Sequence, residues 1–442
     1  MKKILPIIFL TIISAFLIFY RFSEIPKNLT FDEVEFTKLA LSLNNKPYIP
    51  YSQLATGHST LYFYVLLTSL KTFGINTFAL RFPAAIFGIL SVVIFYFILK
   101  IIYQKNILYR QGIALSLPII LLTSRWFLNF TRFSFEATFL LFLELMSIYF
   151  LLKFDEFSKA KSPGFLANRQ GPPWGCGGLK NSESSFYLII SGLFAGLAFL
   201  SYTPGRIFFL LPVMYLFLTI KQWNNVTIKQ FLLFLIPFII IITPLTTYLM
   251  SNKDIRVDQQ FFLKNNEVTI NEKIGGLWSN ISKTSLMFNF KGDVNGRHNY
   301  PNKPALNPIM GILFLIGLIT ATTNYVLRTT NYFFLFYFLI SLFPALMTYP
   351  WENPNMLRTF TALPSIVYFV GNAIYNLVAI ATRLSLNKKI AKYLIFSTFY
   401  LILTVSCVYE LRSYFKYQSI VFDQAFEIKL PLEKAIKAKL KP

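Results

Sequence analysis

Charge is scarce in this 442-residue chain: Asp, Glu, Lys and Arg make up 14% of it, against 55% hydrophobic residues. A composition this apolar excludes a water-soluble globule of such length, which would expose large apolar patches. Lipid has to be the solvent. Long polar stretches are missing too, which leaves no room for a large soluble domain. Cysteine is nearly absent: Cys176 lies in a Gly/Pro-rich loop and Cys407 in an apolar segment. These contexts fall on opposite sides of a bilayer, so a disulfide framework is not expected. Acids number 19 against 42 Lys and Arg. The net charge of +23 reads as cationic inner loops facing anionic headgroups, and no nucleic-acid partner is expected.

What is present is a recurrence of apolar runs. Spanning a bilayer takes about 20 apolar residues, and about eleven such segments can be placed: 4–20, 79–103, 111–128, 131–152, 186–202, 206–220, 230–250, 306–325, 331–348, 359–381 and 391–409. The basic Met1-Lys2-Lys3 start has a signal-peptide look, but bulky Arg21 to Pro26 offers no cleavage site, so 4–20 reads as an uncleaved first span. Residues 59–73 suit an interfacial helix as well as a span. With the amino terminus inside, Lys and Arg concentrate in inner loops, including a flexible Gly/Pro-rich loop within 153–185. The same threading places 21–78, 251–305 and the basic tail 410–442 outside.

The first outer loop carries Thr30-Phe31-Asp32-Glu33, the form of a capping box opening a helix. In helical phase Asp32 shares a face with Phe36, Leu39, Ala40 and Leu43, whereas Glu33 and Lys38 lie off it. Asp32 is thereby read as pointing inward, where a carboxylate can take a proton from an attacking hydroxyl. Spacing alone supports capping and catalysis equally. In and beside the short outer connections the cations are Arg125, Arg132, Arg206 and Arg358, without lysine. Singly, each is explained by snorkelling or by pairing with acids such as Glu136 and Glu352. Together they point to an anionic ligand such as a lipid phosphate, which the guanidinium fork suits. Glu136, four residues from Arg132, has that arginine as a structural partner; Glu144 lies deeper in the same segment and has no role assigned. The turn-rich run 291–301 presents Asp293, Arg297 and His298 just before a span, with too few ligands for a metal site, so acceptor or phosphate contact and a structural turn both stand. His58, before the aromatic run Tyr62-Phe63-Tyr64, reads as interfacial.

Several motifs in order carry a resemblance: Phe31-Asp32-Glu33; GHSTLYFYVLLTSLKTFG from Gly57; Ala79-Leu80-Arg81-Phe82-Pro83-Ala84-Ala85; TRFSFEATFLLF from Thr131; GLFAGLAFLSYTPGRIFFLLP from Gly192; GDVNGRHNYPNKPALNP from Gly292; and NMLRTFTALPSIVYF from Asn355. The chain resembles the GT-C membrane glycosyltransferases, in particular family 39 with its protein O-mannosyltransferases, and the bacterial aminoarabinose transferases of lipid A. The resemblance implies an all-α polytopic GT-C helix bundle over 1–409, with 410–442 as a tail. It further implies inverting transfer of a hexosyl or pentosyl group from a polyprenyl-phosphate sugar, outside the plasma membrane of a bacterium. The acceptor is left open among protein, lipid and polysaccharide, and so is a divalent metal. Asp32 is the implied catalytic carboxylate, with Glu33 beside it and Glu136 standing where relatives more often carry Asp. Arg81, Arg206, Arg297, His298 and Arg358 are the expected lipid-phosphate or substrate contacts, Arg206 substituting for a lysine of many relatives. A flippase for a lipid-linked sugar, or an inactive scaffold, are the competing expectations; a flippase predicts internal repeats and midplane polar residues, and only Glu144 fits that pattern.

Overall fold

The computed structural model describes residues 4–103, 110–159, 177–219, 225–323, 328–384 and 388–438. The first helix, α1 (Leu5–Phe19), ends at a non-helical Tyr20. The carbonyls at and beyond a helix end lack intrahelical partners. Arg132 supplies them: Nη1 donates to the carbonyls of Leu17, Ile18 and Tyr20 at 3.2, 2.7 and 2.7 Å, and Nη2 to those of Arg21 and Ile25, each at 2.9 Å. Arg132 is thus a cap for α1 rather than the partner of Glu136 or a free anion contact.

The first outer loop then builds α2 (Phe31–Ser42), a small antiparallel pairing of β1 (Tyr51–Ser52) with β2 (His58–Ser59), and α3 (Leu61–Phe73). At 13 residues, α3 is about 20 Å long, short of the roughly 30 Å of a hydrocarbon core, and it packs on α2 and α4. The following helix, α4 (Thr77–Ile102), starts where the Asn76 side chain accepts from the Ala79 N–H at 2.9 Å.

The expected span 111–128 is broken. It forms α5 (Arg110–Thr123) and α6 (Arg125–Thr131), bent by 64° at Ser124. Ser124 has ψ 127°, outside the helical region, and the next N–H, that of Arg125, is taken by Glu410 Oε2 at 2.9 Å. Beyond it α7 (Ala137–Lys159) and α8 (Gly177–Ser201) extend into the loop expected at 153–185; its central residues 160–176, Cys176 among them, lie outside the described residues.

Helix α9 (Leu210–Thr219) precedes α10 (Asn225–Ser251), which lies close against α8. A Cβ at Gly192 would meet the Phe234 carbonyl at 2.2 Å, and one at Gly196 the Ile241 side chain at 2.8 Å, so this Gly-x-x-x-Gly pair sets the approach. The long outer loop contains α11 (Ile255–Gln260) and α12 (Ile270–Met287). The remaining bundle helices are α13 (Pro308–Thr323), α14 (Arg328–Leu346), α15 (Leu363–Leu384) and α16 (Lys388–Arg412).

Of the segments expected to span, five of the described helices are long and apolar enough to cross a membrane: α4, α7, α10, α14 and α15. The bent α5–α6 pair makes a sixth if it is one span; α1, α9, α13 and the apolar end of α8 are shorter. The expected tail is folded over most of its length. A π-helical turn at Ser413–Gln418 continues into α17 (Ser419–Ala425) and α18 (Leu432–Lys437), and Ile428 forms an antiparallel bridge with Leu29. The segments that hydropathy assigns to one side therefore meet: the tail joins the first loop, Asn129 of α6 donates to the Arg297 carbonyl of the long loop at 2.7 Å, and Phe261 bridges Thr348.

Candidate active site

The capping box forms as its spacing predicts: Thr30 Oγ1 accepts from the Glu33 N–H at 3.1 Å and Glu33 Oε2 from the Thr30 N–H at 3.2 Å. The apolar stripe of Phe36, Leu39, Ala40 and Leu43 is buried as its phase predicts, but Asp32 at its head does not follow it inward. Glu33 is fully buried, and the Asp32 side chain keeps 46% of its surface exposed. The cause is Arg81 of α4, fully buried, whose Nε and Nη2 reach the two Glu33 oxygens at 2.7 and 2.9 Å. Its Nη1 donates to the Pro26 carbonyl at 2.5 Å and its Nη2 also to that of Asn28 at 2.7 Å. A buried carboxylate needs such compensation. With all three nitrogens engaged inside the protein, Arg81 anchors the first loop to α4 and does not face a ligand.

Asp32 sits at the rim. Its Oδ2 accepts from Arg297 Nη1 at 3.0 Å, and Arg297 Nη2 donates to Glu427 Oε1 at 3.0 Å. The same Glu427 oxygen accepts the Phe31 N–H at 2.9 Å, so the C-terminal segment clasps the first turn of α2. The turn-rich run 291–301 delivers Arg297 there, held by Asp293: its Oδ2 accepts from His298 Nδ1 and from the Met356 N–H, each at 2.9 Å. His298, its ring 5.7 Å from that of Phe130, braces the loop.

A second cluster lies beneath. Phe36, one turn beyond Asp32, packs its ring 5.0 Å from that of His58. His58 is buried rather than interfacial: Glu136 Oε1 lies 2.5 Å from its Nδ1 and Arg256 Nη1 2.6 Å from its Nε2. Burial pushes the imidazole pKa below its ordinary value, Glu136 opposing and Arg256 adding to the depression. The Arg256 guanidinium lies over the Tyr202 ring at 5.3 Å. Arg206 pairs with Asp254 and Arg358 with Glu352. Burial alone would raise the Asp254 carboxyl, but Arg206 outweighs it and holds the group below the usual carboxylate range.

Arg206, Arg256 and Arg358 line one cavity of about 220 Å³, with Tyr202, Phe261, Phe343, Pro344 and Met347 among its apolar walls. No carboxylate is among the lining residues; Asp254, Glu352 and Glu136 stand behind the arginines. The chamber can take an anion attached to an apolar chain. Arg125, by contrast, is buried and donates to the Pro304 carbonyl at 2.7 Å, and Glu144 accepts from Tyr337 Oη at 2.7 Å within the bundle. Among the described residues no three Asp, Glu, His or Cys side chains come together as a ligand set for the metal left open above.

Sequence reasoning missed Arg256 and His58. The arginine criterion was applied to short connections only; in the lysine-rich long loop Arg256 and Arg297 are the two arginines, and both reach these clusters. No local signal marks His58, whose partners lie 78 and 198 residues away.

No family model matches the sequence, and no curated protein matches it. Solved structures do. ArnT from Cupriavidus metallidurans bound to undecaprenyl phosphate is 12% identical, with a TM-score of 0.52 over 99% of this chain and 78% of that one. The oligosaccharyltransferase AglB from Archaeoglobus fulgidus, in complex with an inhibitory peptide and a dolichol-phosphate, is 13% identical, with a TM-score of 0.56 over 97% of this chain and 56% of that one. The chain thus spans little more than half the length of the archaeal enzyme. The fold is that of the GT-C membrane glycosyltransferases.

Proposed function

We propose that this chain is a membrane glycosyltransferase that moves a sugar from a polyprenyl-phosphate carrier to an acceptor hydroxyl on the extracytoplasmic side. The observation that carries the reading is the arginine-lined cavity with apolar walls, whose Arg256 contacts His58, against which Phe36 of the helix that bears Asp32 packs. Neighbours of the same fold hold undecaprenyl phosphate and dolichol-phosphate, and the cavity has the chemistry for such a group: guanidinium forks for phosphate and an aromatic and aliphatic wall for the first isoprene units.

In the proposed reaction Arg206, Arg256 and Arg358 bind the donor phosphate. The acceptor oxygen attacks the anomeric carbon as the carbon–oxygen bond to phosphate breaks, and polyprenyl phosphate departs with the bonding electrons. The arginines stabilise the charge that builds on it. Asp32 takes the hydroxyl proton: Arg297 engages Oδ2, which fixes the carboxylate and leaves Oδ1 for the acceptor. His298 acts through the loop that carries Arg297. Glu136 lies behind the cavity wall and Glu33 serves the scaffold. A single displacement from the face opposite the phosphate inverts the anomeric centre.

The test is incubation of the purified protein with radiolabelled polyprenyl-phosphate hexoses and pentoses and with protein, lipid and polysaccharide acceptors. The expected result is labelled acceptor together with free polyprenyl phosphate. Transbilayer movement of the labelled lipid in liposomes, with no labelled acceptor from any of these mixtures, would identify a flippase and overturn the reading.

A further inference from the structure

His58 stands between a carboxylate and the central cavity arginine, in contact with both. A guanidinium offers donors only. A carboxylate only accepts, so Nδ1 carries the ring hydrogen and donates it to Glu136 Oε1 at 2.5 Å, and in the neutral ring the other nitrogen, Nε2, is left as an acceptor for Arg256 Nη1, which lies 2.6 Å from it and 3.0 Å from Nδ1. This assignment follows from the network geometry. Around the rest of the ring, Phe36 of α2 and Phe63 of α3 meet the imidazole edge-on at 5.0 and 5.2 Å, and the Ala55 backbone is within hydrogen-bond reach. Glu136 and Arg256 are its charged neighbours; Arg206, 3.5 Å from the Ser59 hydroxyl and paired with Asp254, lies one residue along. Glu136 Oε2 is buried without a hydrogen-bond partner, so the carboxylate depends on His58 for its contact. Arg256 in turn is held between His58 and the Tyr202 face and lines the cavity.

We propose that neutral His58, as the Nδ1–H tautomer, is a positioning residue that aims Arg256 into the cavity, and that its protonation releases Arg256 and weakens binding of the lipid phosphate. The proposal rests on the cavity being the phosphate site. A second proton on the ring would remove the acceptor that Arg256 uses and bring two like charges into contact within a buried site. Donor affinity is then highest at neutral pH. It falls as pH drops through a value below the ordinary histidine range near 6.5, because burial favours the neutral ring.

The experiment uses the full-length protein in detergent and a polyprenyl methyl phosphate, a diester whose single charge does not titrate between pH 4.5 and 8. Its affinity is followed by tryptophan fluorescence across that range, with thermal unfolding measured on the same samples. Unaltered protein is expected to lose about tenfold in affinity on the acid side while remaining folded. H58Q keeps one acceptor for Arg256 and one donor for Glu136, so it is expected to bind at neutral pH with a flattened profile. H58F, with neither, is expected to bind at least about tenfold more weakly throughout. An H58Q profile as steep as that of the unaltered protein, or undiminished binding by folded H58F, overturns the proposal and leaves the functional reading standing. Absence of binding by the unaltered protein at every pH overturns both.

Discussion

Asp32 and Glu33 are adjacent carboxylates in one helical turn, each paired with an arginine from a distant segment, yet they end in opposite environments. Glu33 is sealed against Arg81 with no exposed surface; Asp32 meets Arg297 at the rim with nearly half of its side chain open. A buried ion pair is kept because its removal leaves an uncompensated charge, whereas an exposed pair contributes little to stability. The pair thus separates two functions of acidic residues at a helix start. One residue fixes the helix and leaves its neighbour open at the rim, where the proposed reaction uses it.

Arg81→Ala should break this comparison most severely. It strands the Glu33 carboxylate in the interior, and the expected cost is about 3–5 kcal/mol, read as a large loss of folded protein in detergent and a lowered unfolding temperature. A melting curve like that of the unaltered protein would show that Glu33 does not anchor the loop. Asp32→Asn should act on the other arm alone. Asparagine nearly matches the size of the carboxylate, so unfolding should be unchanged while transfer falls by roughly 100- to 10,000-fold; full transfer activity in this variant would remove Asp32 from the reaction. The smallest effect is expected of Glu427→Gln. It removes one of the two acidic partners of Arg297, at a half-exposed position, and should shift stability by no more than about 1 kcal/mol. Transfer should drop severalfold as Arg297 and Asp32 gain freedom, measured as kcat with donor KM unchanged.

What could be read in advance follows the range of the interaction. The capping box spans four residues and the apolar runs about twenty each, so both were legible in composition and spacing. The burial of Glu33 in place of Asp32 was not, because it is set by Arg81, 48 residues on, while the apolar stripe of the same helix is buried as its spacing predicts. The break at Ser124 depends on Glu410, 285 residues away, and nothing near Ser124 announces it. His58 looked like an interfacial residue because its neighbours in sequence are aromatic; only the fold brings Glu136 and Arg256 to it. Arg125 and Arg132 met the same arginine criterion as Arg206 and Arg358, but the first two face carbonyl oxygens and the last two face the cavity. The criterion selects arginines at one end of the bundle and is blind to which of them point inward.

The contact between Glu427 and the Phe31 N–H joins residues 396 apart, and a chain made at about 5–20 residues per second needs roughly 20–80 seconds to supply the second partner after the first. The Glu33–Arg81 anchor, 48 residues apart, is available roughly 2–10 seconds after Glu33 is made. The helix bearing Asp32 is therefore set early in synthesis, while its clasp waits for the segment around Glu427 to emerge. A nascent chain stalled before that point carries the carboxylate without the clasp, so completion of the site is timed by the arrival of the C-terminal segment.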